Sequence, residues 1–105
     1  MKALELTGKQ RRYLRGLAHH LKPVVQIGSK GVTESLVTQI DEQLEIHELI
    51  KVKLGQDVPV EKKAAASTVE SACGASLVQV IGRTLVFYRR RKKDPTIHVP
   101  KTRPR

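Results

Sequence analysis

Two glycines spaced three residues apart, in Gly28-Ser29-Lys30-Gly31, are the first residues whose types suit chemistry on a ligand. Glycine has no Cβ, so the backbone beside it can approach a ligand closely. The run follows a short apolar stretch and precedes a predicted helix, whose first N–H groups and positive dipole end attract anions. Lys30 adds a mobile cation. The pattern predicts a phosphate-binding loop; the alternative is an ordinary strand-to-helix turn, with Glu34 opposing any anion.

Basic side chains in the first predicted helix form a second candidate site. At helical spacing they lie away from the apolar stripe, which consists of Tyr13, Leu14, Leu17, Ala18 and Leu21. No acidic residue occurs between Glu5 and Glu34, and that bias supports a polyanion-binding surface alongside the alternative of a solvated amphipathic face. The residues assigned to this surface are Lys9, Arg11, Arg12, Arg15 and Lys22.

The C-terminal residues form a third basic element. From Arg89 onward the chain has eight Lys or Arg and one acid, so this part carries about +7 of the formal charge. It contains three prolines and no periodic apolar residues, which predicts a flexible segment. We therefore predict one domain over residues 1–89 and a flexible tail over residues 90–105, which either solubilises the chain or wraps a polyanion. The residues assigned to binding are Arg89, Arg90, Arg91 and Lys92.

The other reactive side chains form no catalytic pattern. Asp41 and Glu45 share a face of the second predicted helix, but no histidine or metal-ligand spacing accompanies them, which is typical of a solvated acidic face. His19 and His20 are adjacent and point in different directions on a helix. Cys73, the single cysteine, is predicted to be a buried packing residue. We expect no enzymatic activity, no cofactor and no metal site.

The overall composition limits the partners. A formal net charge of +10 and a pI of about 10.2 favour a polyanion: RNA, DNA or an anionic membrane surface. The only aromatic residues are Tyr13, Phe87 and Tyr88, too few for rows of base-stacking platforms. The sequence has no membrane-spanning apolar run and no signal peptide at its N-terminus. We therefore expect a cytoplasmic monomer that does not bind membranes.

Hydrophobic periodicity and turn residues divide the chain into alternating elements. Thr7 and Thr33 are the predicted N-caps of the first two helices, which end near residues 20 and 47. The third helix begins near Val60, after a turn over residues 55–59, and ends near residue 73 with Gly74 as its predicted C-cap. The predicted strands are residues 24–27, 49–54, 76–81 and 84–89, with Gly82-Arg83 as a type II′ turn. The order α-β-α-β-α-β-β predicts a layered α/β sandwich with a four-stranded mixed sheet, in which helix-connected strands are parallel.

Three separated blocks carry a resemblance to a known family. They are LTGKQRRYLRGLAHHLKPVVQIGSKGVTESLV, HELIKVKL and GASLVQVIGRTLVFYRR, spanning Leu6 to about Tyr88. In this order they resemble the YhbY-type RNA-binding family, the stand-alone bacterial form of the chloroplast RNA splicing and ribosome maturation (CRM) domain. The resemblance implies a four-stranded mixed sheet packed with helices, similar to the C-terminal domain of translation initiation factor three.

The same resemblance implies RNA binding through the glycine loop and the flanking basic surface. It also implies association with ribosomal RNA in precursors of the large ribosomal subunit. At the loop tip, relatives often carry Lys or Asn where Ser29 and Lys30 stand, so the tip is a variant. The alternative hypothesis is a protein-interaction adaptor, which would dock on a ribosomal protein or assembly factor through the acidic stretch from Asp41 to Glu48.

Overall fold

The computed structural model describes residues 5–56 and 61–98, and its elements occur in the predicted order. The helices are α1 (Gly8–Ala18), α2 (Glu34–His47) and α3 (Lys62–Cys73), and the strands are β1 (Pro23–Ile27), β2 (Leu49–Leu54), β3 (Ser76–Ile81) and β4 (Thr84–Tyr88). The predicted α/β class with a four-stranded mixed sheet is confirmed. The predicted start of the third helix at Val60 and part of the turn before it lie outside the described residues.

Side-chain caps begin the first two helices, and a left-handed glycine ends the third. Thr7 and Gln10 form a reciprocal capping box, with each backbone N–H donating to the other side chain at 3.0 and 3.1 Å. The Thr33 hydroxyl accepts a hydrogen bond from the Leu36 N–H at 3.2 Å. Gly74 ends α3 in the left-handed region at φ 66°, which glycine adopts without a Cβ clash.

The strand order is β1-β2-β4-β3, so β1 and β3 are the edges. β1 and β2 pair in parallel, as their helical connection predicts, and β4 pairs antiparallel with both β2 and β3. β2 and β3 therefore run in the same direction but are not neighbours, because the hairpin places β4 between them. In the hairpin turn, Gly82 has φ 57°, the positive value that a type II′ turn requires at its first position.

Each face of the sheet has its own apolar cluster. On one face, α2 and α3 pack over the inward side chains of the strands, in a cluster centred on Ile40, Leu44, Val52, Val69 and Phe87. On the other face, α1 packs alone through Leu14 and Ala18 against a smaller set from β2, β3 and β4. The predicted inner stripe of α1 was wrong at three positions: Tyr13, Leu17 and Leu21 are 40%, 42% and 37% exposed. A single helix on a broad face buries only the side that contacts the strands.

A buried carboxylate ties the C-terminal segment (residues 90–97) to the domain. Glu48, which follows α2 at φ 65°, has a fully buried side chain. Its Oε1 accepts hydrogen bonds from the Thr96 N–H at 2.7 Å, the Thr96 hydroxyl at 2.9 Å and the Ile97 N–H at 3.0 Å. Its Oε2 accepts from the Arg91 N–H at 3.3 Å. Ile97 then packs against the α1 cluster.

This attachment differs from the flexible tail that composition predicted from residue 90. The segment needs no apolar periodicity of its own, because one carboxylate from the domain satisfies several of its backbone donors. Burial by itself would raise the pKa of Glu48, but the hydrogen bonds from Thr96, Ile97 and Arg91 outweigh it and hold the pKa below its usual value. The remainder of the predicted tail, residues 99–105, lies outside the described residues.

Candidate nucleic-acid interface

The glycine loop is a closed β-turn at one end of the sheet. The Gly31 N–H donates to the Gly28 carbonyl at 2.9 Å, and Gly31 has φ 75°. Gly28, Ser29 and Lys30 are exposed, whereas Gly31 is buried. A Cβ built on Gly28 or on Gly31 would meet no atom within 4 Å, so the space in front of both glycines is open. The loop can therefore admit a ligand close to its backbone, although its last N–H is already used.

The N-terminus of α2 follows this loop directly. The Thr33 cap uses the Leu36 N–H, while the N–H groups of Glu34 and Ser35 precede the first intrahelical hydrogen bonds and point out of the helix end. Glu34 is exposed in the first turn, where its charge opposes an anion. The loop thus combines open glycines, one exposed lysine and a helix end whose positive dipole is partly offset.

A basic groove lies between α1 and the part of the sheet that α1 leaves uncovered. Its volume is about 550 Å³. The polar residues of this basic groove are Arg12, Arg15, His19 and His20 from the α1 side, with Lys51 from β2 and Gln79 from β3. No carboxylate lines it among the described residues. The two histidine rings meet edge to face, with centroids 5.0 Å apart. Such a concentration of positive charge along a groove suits a phosphate chain.

Polar residues connect the basic groove with the glycine loop. Lys51 and Lys53 project from the same face of β2, because side chains two apart on a strand share a face. Lys53 pairs with Gln26 of β1, and both are exposed. The next pair, Ile27 and Leu54, ends the strands, and the loop begins one residue later. An exposed polar track therefore runs from the groove to Gly28.

Only part of the predicted basic surface of α1 faces this groove. Arg12 and Arg15 do, and both are exposed. Arg11 instead donates its Nη1 to the Leu77 carbonyl at 2.5 Å, which anchors α1 to the edge strand β3. Lys9 is exposed but does not line the groove. The fifth predicted residue, Lys22, borders a different, apolar depression on the other side of α1.

The arginines after β4 have internal partners. The Arg89 guanidinium pairs with Asp41 and, at 3.1 Å, with Glu45, and its Nη1 donates to the Cys73 carbonyl at 2.8 Å. Arg91 donates its Nη1 to the Ile46 carbonyl at 2.8 Å. These two arginines therefore brace the domain, and their assignment to RNA binding stays a prediction. Arg90 and Lys92, the other two residues assigned there, are exposed.

The acidic stretch from Asp41 to Glu48 is also largely committed inside the domain. Asp41 and Glu45 pair with Arg89 but stay 54% and 39% exposed, so the predicted solvated face also forms an ion-pair site. Glu48 holds the C-terminal segment. Cys73 is buried as predicted; burial, then the charge of Asp41, raises the pKa of its thiol, while Arg89 opposes this. A protonated, buried thiol is a packing group.

In residues 5–56 and 61–98, no three His, Cys, Asp or Glu side chains come together as metal ligands would. Over those ranges, too, none of the helices has the length and apolarity needed to cross a bilayer.

Sequence reasoning missed the strand side of the groove. Lys51, Lys53 and Gln79 were not assigned to binding, although Lys51-Val52-Lys53 shows the alternation of a strand with two lysines on its outer face. That pattern places the lysines on one face, but the position of α1 beside them depends on long-range packing. The polar residues that the structure brings together in the groove are thus four from the α1 side and two from the sheet.

Comparison with known proteins gives the family. The model of the CRS1 / YhbY (CRM) domain matches residues 6–89. The probable RNA-binding protein YqeI of Bacillus subtilis is 43% identical over 95 residues, covering 90% of this chain and 99% of the relative. An RNA-binding protein of Haemophilus influenzae is 43% identical over 84 residues, covering 80% of this chain and 85% of the relative.

A solved structure agrees. The solution structure of the hypothetical protein SAV1595 from Staphylococcus aureus superposes with a TM-score of 0.78 at 48% sequence identity, covering 91% of this chain and all of the other. Similarity to the C-terminal domain of translation initiation factor three stays a prediction. The match over nearly the whole chain, the two relatives and the common fold show that this protein belongs to the CRS1/YhbY (CRM) domain family.

Proposed function

We propose that this protein binds RNA without catalysis and holds a ribose-phosphate chain along the basic groove and the glycine loop. The observation that carries the proposal is the continuous polar track from Arg12 and Arg15, across Lys51 and Lys53, to Gly28. The RNA-binding names of its relatives support the same conclusion.

The groove contributes mainly charge. Arg12 and Arg15 face Lys51 across it, so a phosphate chain lying in the groove is neutralised from two sides. The loop contributes access, because nothing occupies the space in front of Gly28 and Lys30 extends from the turn. Among the exposed C-terminal cations, Arg90 and Lys92 remain available for further phosphates. No Phe, Tyr or Trp of the described residues lines the groove, and its rings are the two imidazoles of His19 and His20. Contacts to phosphates and shape therefore outweigh base stacking in this proposal.

The proposed RNA is ribosomal RNA in precursors of the large ribosomal subunit. Support for this finer assignment comes from the family resemblance, which includes ribosome maturation. It is tested by competition: precursor large-subunit ribosomal RNA should displace a labelled ribosomal fragment at lower concentration than an unrelated transcript of equal length. Equal displacement by both RNAs would leave general RNA binding standing and remove the ribosomal assignment.

A salt titration tests the groove itself. Affinity for a structured ribosomal RNA fragment is measured by fluorescence anisotropy from low to moderate salt, for the wild type and for Arg15→Gln and Lys51→Gln. Each phosphate contact that is lost should reduce the slope of log affinity against log salt by about 0.7 to 0.9. Lys63→Gln is the matched control, because Lys63 is exposed on α3, which packs on the opposite face of the sheet.

The two outcomes are distinct. Shallower slopes for both groove variants with an unchanged slope for the control support the proposal. If Lys63→Gln reduces the slope as much as the groove variants do, binding is spread over the whole basic protein and the groove is not the site.

A further inference from the structure

A second depression, the apolar groove, lies on the other side of α1 from the basic groove. Its volume is about 410 Å³. Apolar residues from four parts of the chain line this groove. They are Leu17 of α1 and Leu21 just after it, Val24 of β1, Leu49 and Ile50 of β2, and Ile97 of the C-terminal segment. Leu17, Leu21 and Val24 are each 37–42% exposed. Apolar side chains gathered in this way on a protein surface typically mark a binding site.

The fold builds this groove from distant parts of the chain. Ile97 reaches it only because Glu48 binds the backbone of Thr96 and Ile97. Tyr13, one helical turn before Leu17 and 40% exposed, extends the apolar stripe along α1. The groove therefore continues into an exposed apolar stripe on α1 and has a wall that the buried carboxylate fixes in place.

Charge at the rim selects among possible occupants. Lys22 and His47 are the polar residues that line the groove. No carboxylate among the described residues lines it. A phosphate chain has no apolar side chains to bury here. A second copy of the chain would bring another net charge of +10, and residues 99–105 carry three basic residues and no acid. An occupant with apolar side chains and flanking carboxylates is complementary in both respects.

We propose that the apolar groove docks an acidic amphipathic helix of a partner protein. Such a helix inserts apolar side chains at positions i, i+3, i+4 and i+7 between α1 and Ile97, and its carboxylates meet Lys22. Because the two grooves lie on opposite sides of α1, the protein can hold RNA and this partner at the same time. The inference does not depend on which RNA the basic groove binds.

The test uses three synthetic peptides and the isotope-labelled full chain, observed by NMR. The first peptide has leucine at helical spacing with glutamate elsewhere; the second replaces every glutamate with lysine; the third has the composition of the first with scrambled leucines. The acidic helical peptide should shift the signals of Leu17, Leu21, Val24 and Ile97, and the other two should not.

Two variants sharpen the result. Leu21→Glu should lower the affinity for the acidic peptide about tenfold or more, which corresponds to about 1.4 kcal/mol. It should leave the affinity for RNA unchanged. Lys22→Glu should lower the affinity for the acidic peptide and raise the affinity for the lysine peptide, because the charge at the rim of the groove changes from positive to negative. Both residues are exposed, so the fold should survive both changes.

Four results obtained with the full chain would overturn the proposal. They are an absence of groove shifts with the acidic peptide, equal shifts with the lysine or scrambled peptide, groove shifts that grow with protein concentration alone, and groove shifts caused by RNA. The third would make a second copy the occupant and the fourth would make it RNA. Removal of residues 99–105 is a further arm: stronger peptide binding would identify those residues as the occupant and also contradict the proposal.

Discussion

Two clusters of arginines look alike in the sequence and differ in the structure. In α1, Arg12 and Arg15 are exposed and face a groove with no lining carboxylate among the described residues. After β4, Arg89 is held by two carboxylates of α2, and Arg91 donates to the end of the same helix. The difference shows that a basic run offers charge to a ligand only where the fold brings no acid or carbonyl to it.

The physical reason is the arrangement of the two sheet faces. α2 supplies Asp41 and Glu45, and Glu48 follows it directly, at the end of the sheet where β4 finishes. The chain leaving β4 therefore meets three acids. α1 packs alone on the opposite face and has lysines of β2 as its polar neighbours. Arg12 and Arg15 therefore contribute little to the stability of the fold and are available for phosphates. Arg89 and Arg91 contribute mainly to stability.

The largest expected effect is on the anchor of the C-terminal segment. Glu48→Gln removes a buried charge that accepts four hydrogen bonds and places an NH₂ group among N–H donors. We expect the free energy of unfolding to fall by about 2–4 kcal/mol in urea denaturation. The Ile97 amide should also exchange its hydrogen faster.

Glu42→Gln is the control for this change, because Glu42 is an exposed carboxylate on the same helix. It should alter stability by less than about 0.5 kcal/mol. An equally small effect of Glu48→Gln would mean that the C-terminal segment is not anchored by this carboxylate.

A matched pair of arginine substitutions tests the comparison directly. Arg89→Gln should lower the free energy of unfolding by about 1–2 kcal/mol, a modest value because the paired carboxylates are 54% and 39% exposed, and should leave RNA affinity nearly unchanged. Arg12→Gln should do the reverse, with stability within about 0.5 kcal/mol of wild type and RNA affinity lowered about fivefold. Denaturation and anisotropy measure both. The same response from both variants would remove the distinction between the clusters.

The sequence predicted what depends on local signals and missed what depends on distant contacts. The caps at Thr7, Thr33 and Gly74 and the glycine hairpin are encoded within a few residues, and the structure contains all of them. The anchor of Glu48 joins positions 43 to 49 residues apart, so a tail judged by its own composition looked flexible. Likewise, the charge of Arg89 was visible in the sequence, but its neutralisation by Asp41 was not.

A smaller effect separates the two glycines of the loop. Gly31 has φ 75° and Gly28 does not have a positive φ, although both have open space for a Cβ. Gly31→Ala should therefore cost about 1 kcal/mol of stability, whereas Gly28→Ala should cost almost none. If RNA approaches the loop closely, Gly28→Ala should still lower RNA affinity, because the added methyl group occupies the open space. Equal stability loss at the two positions, in thermal unfolding, would contradict the backbone argument.

The smallest expected effect is the pH dependence that Glu48 contributes. Burial raises the pKa of Glu48 and the hydrogen bonds lower it, with the hydrogen bonds prevailing. Because the two effects partly cancel, the dependence of stability on pH is small. A carboxyl whose pKa is lower in the folded protein than in the unfolded chain adds stability above the unfolded pKa, and that stability is lost as the pH falls through the folded pKa. The difference in unfolding free energy between wild type and Glu48→Gln should therefore be constant at neutral pH and narrow below about pH 4.5. A difference that widens in acid would mean that burial outweighs the hydrogen bonds, so that the site favours the protonated acid and does not hold the C-terminal segment by charge.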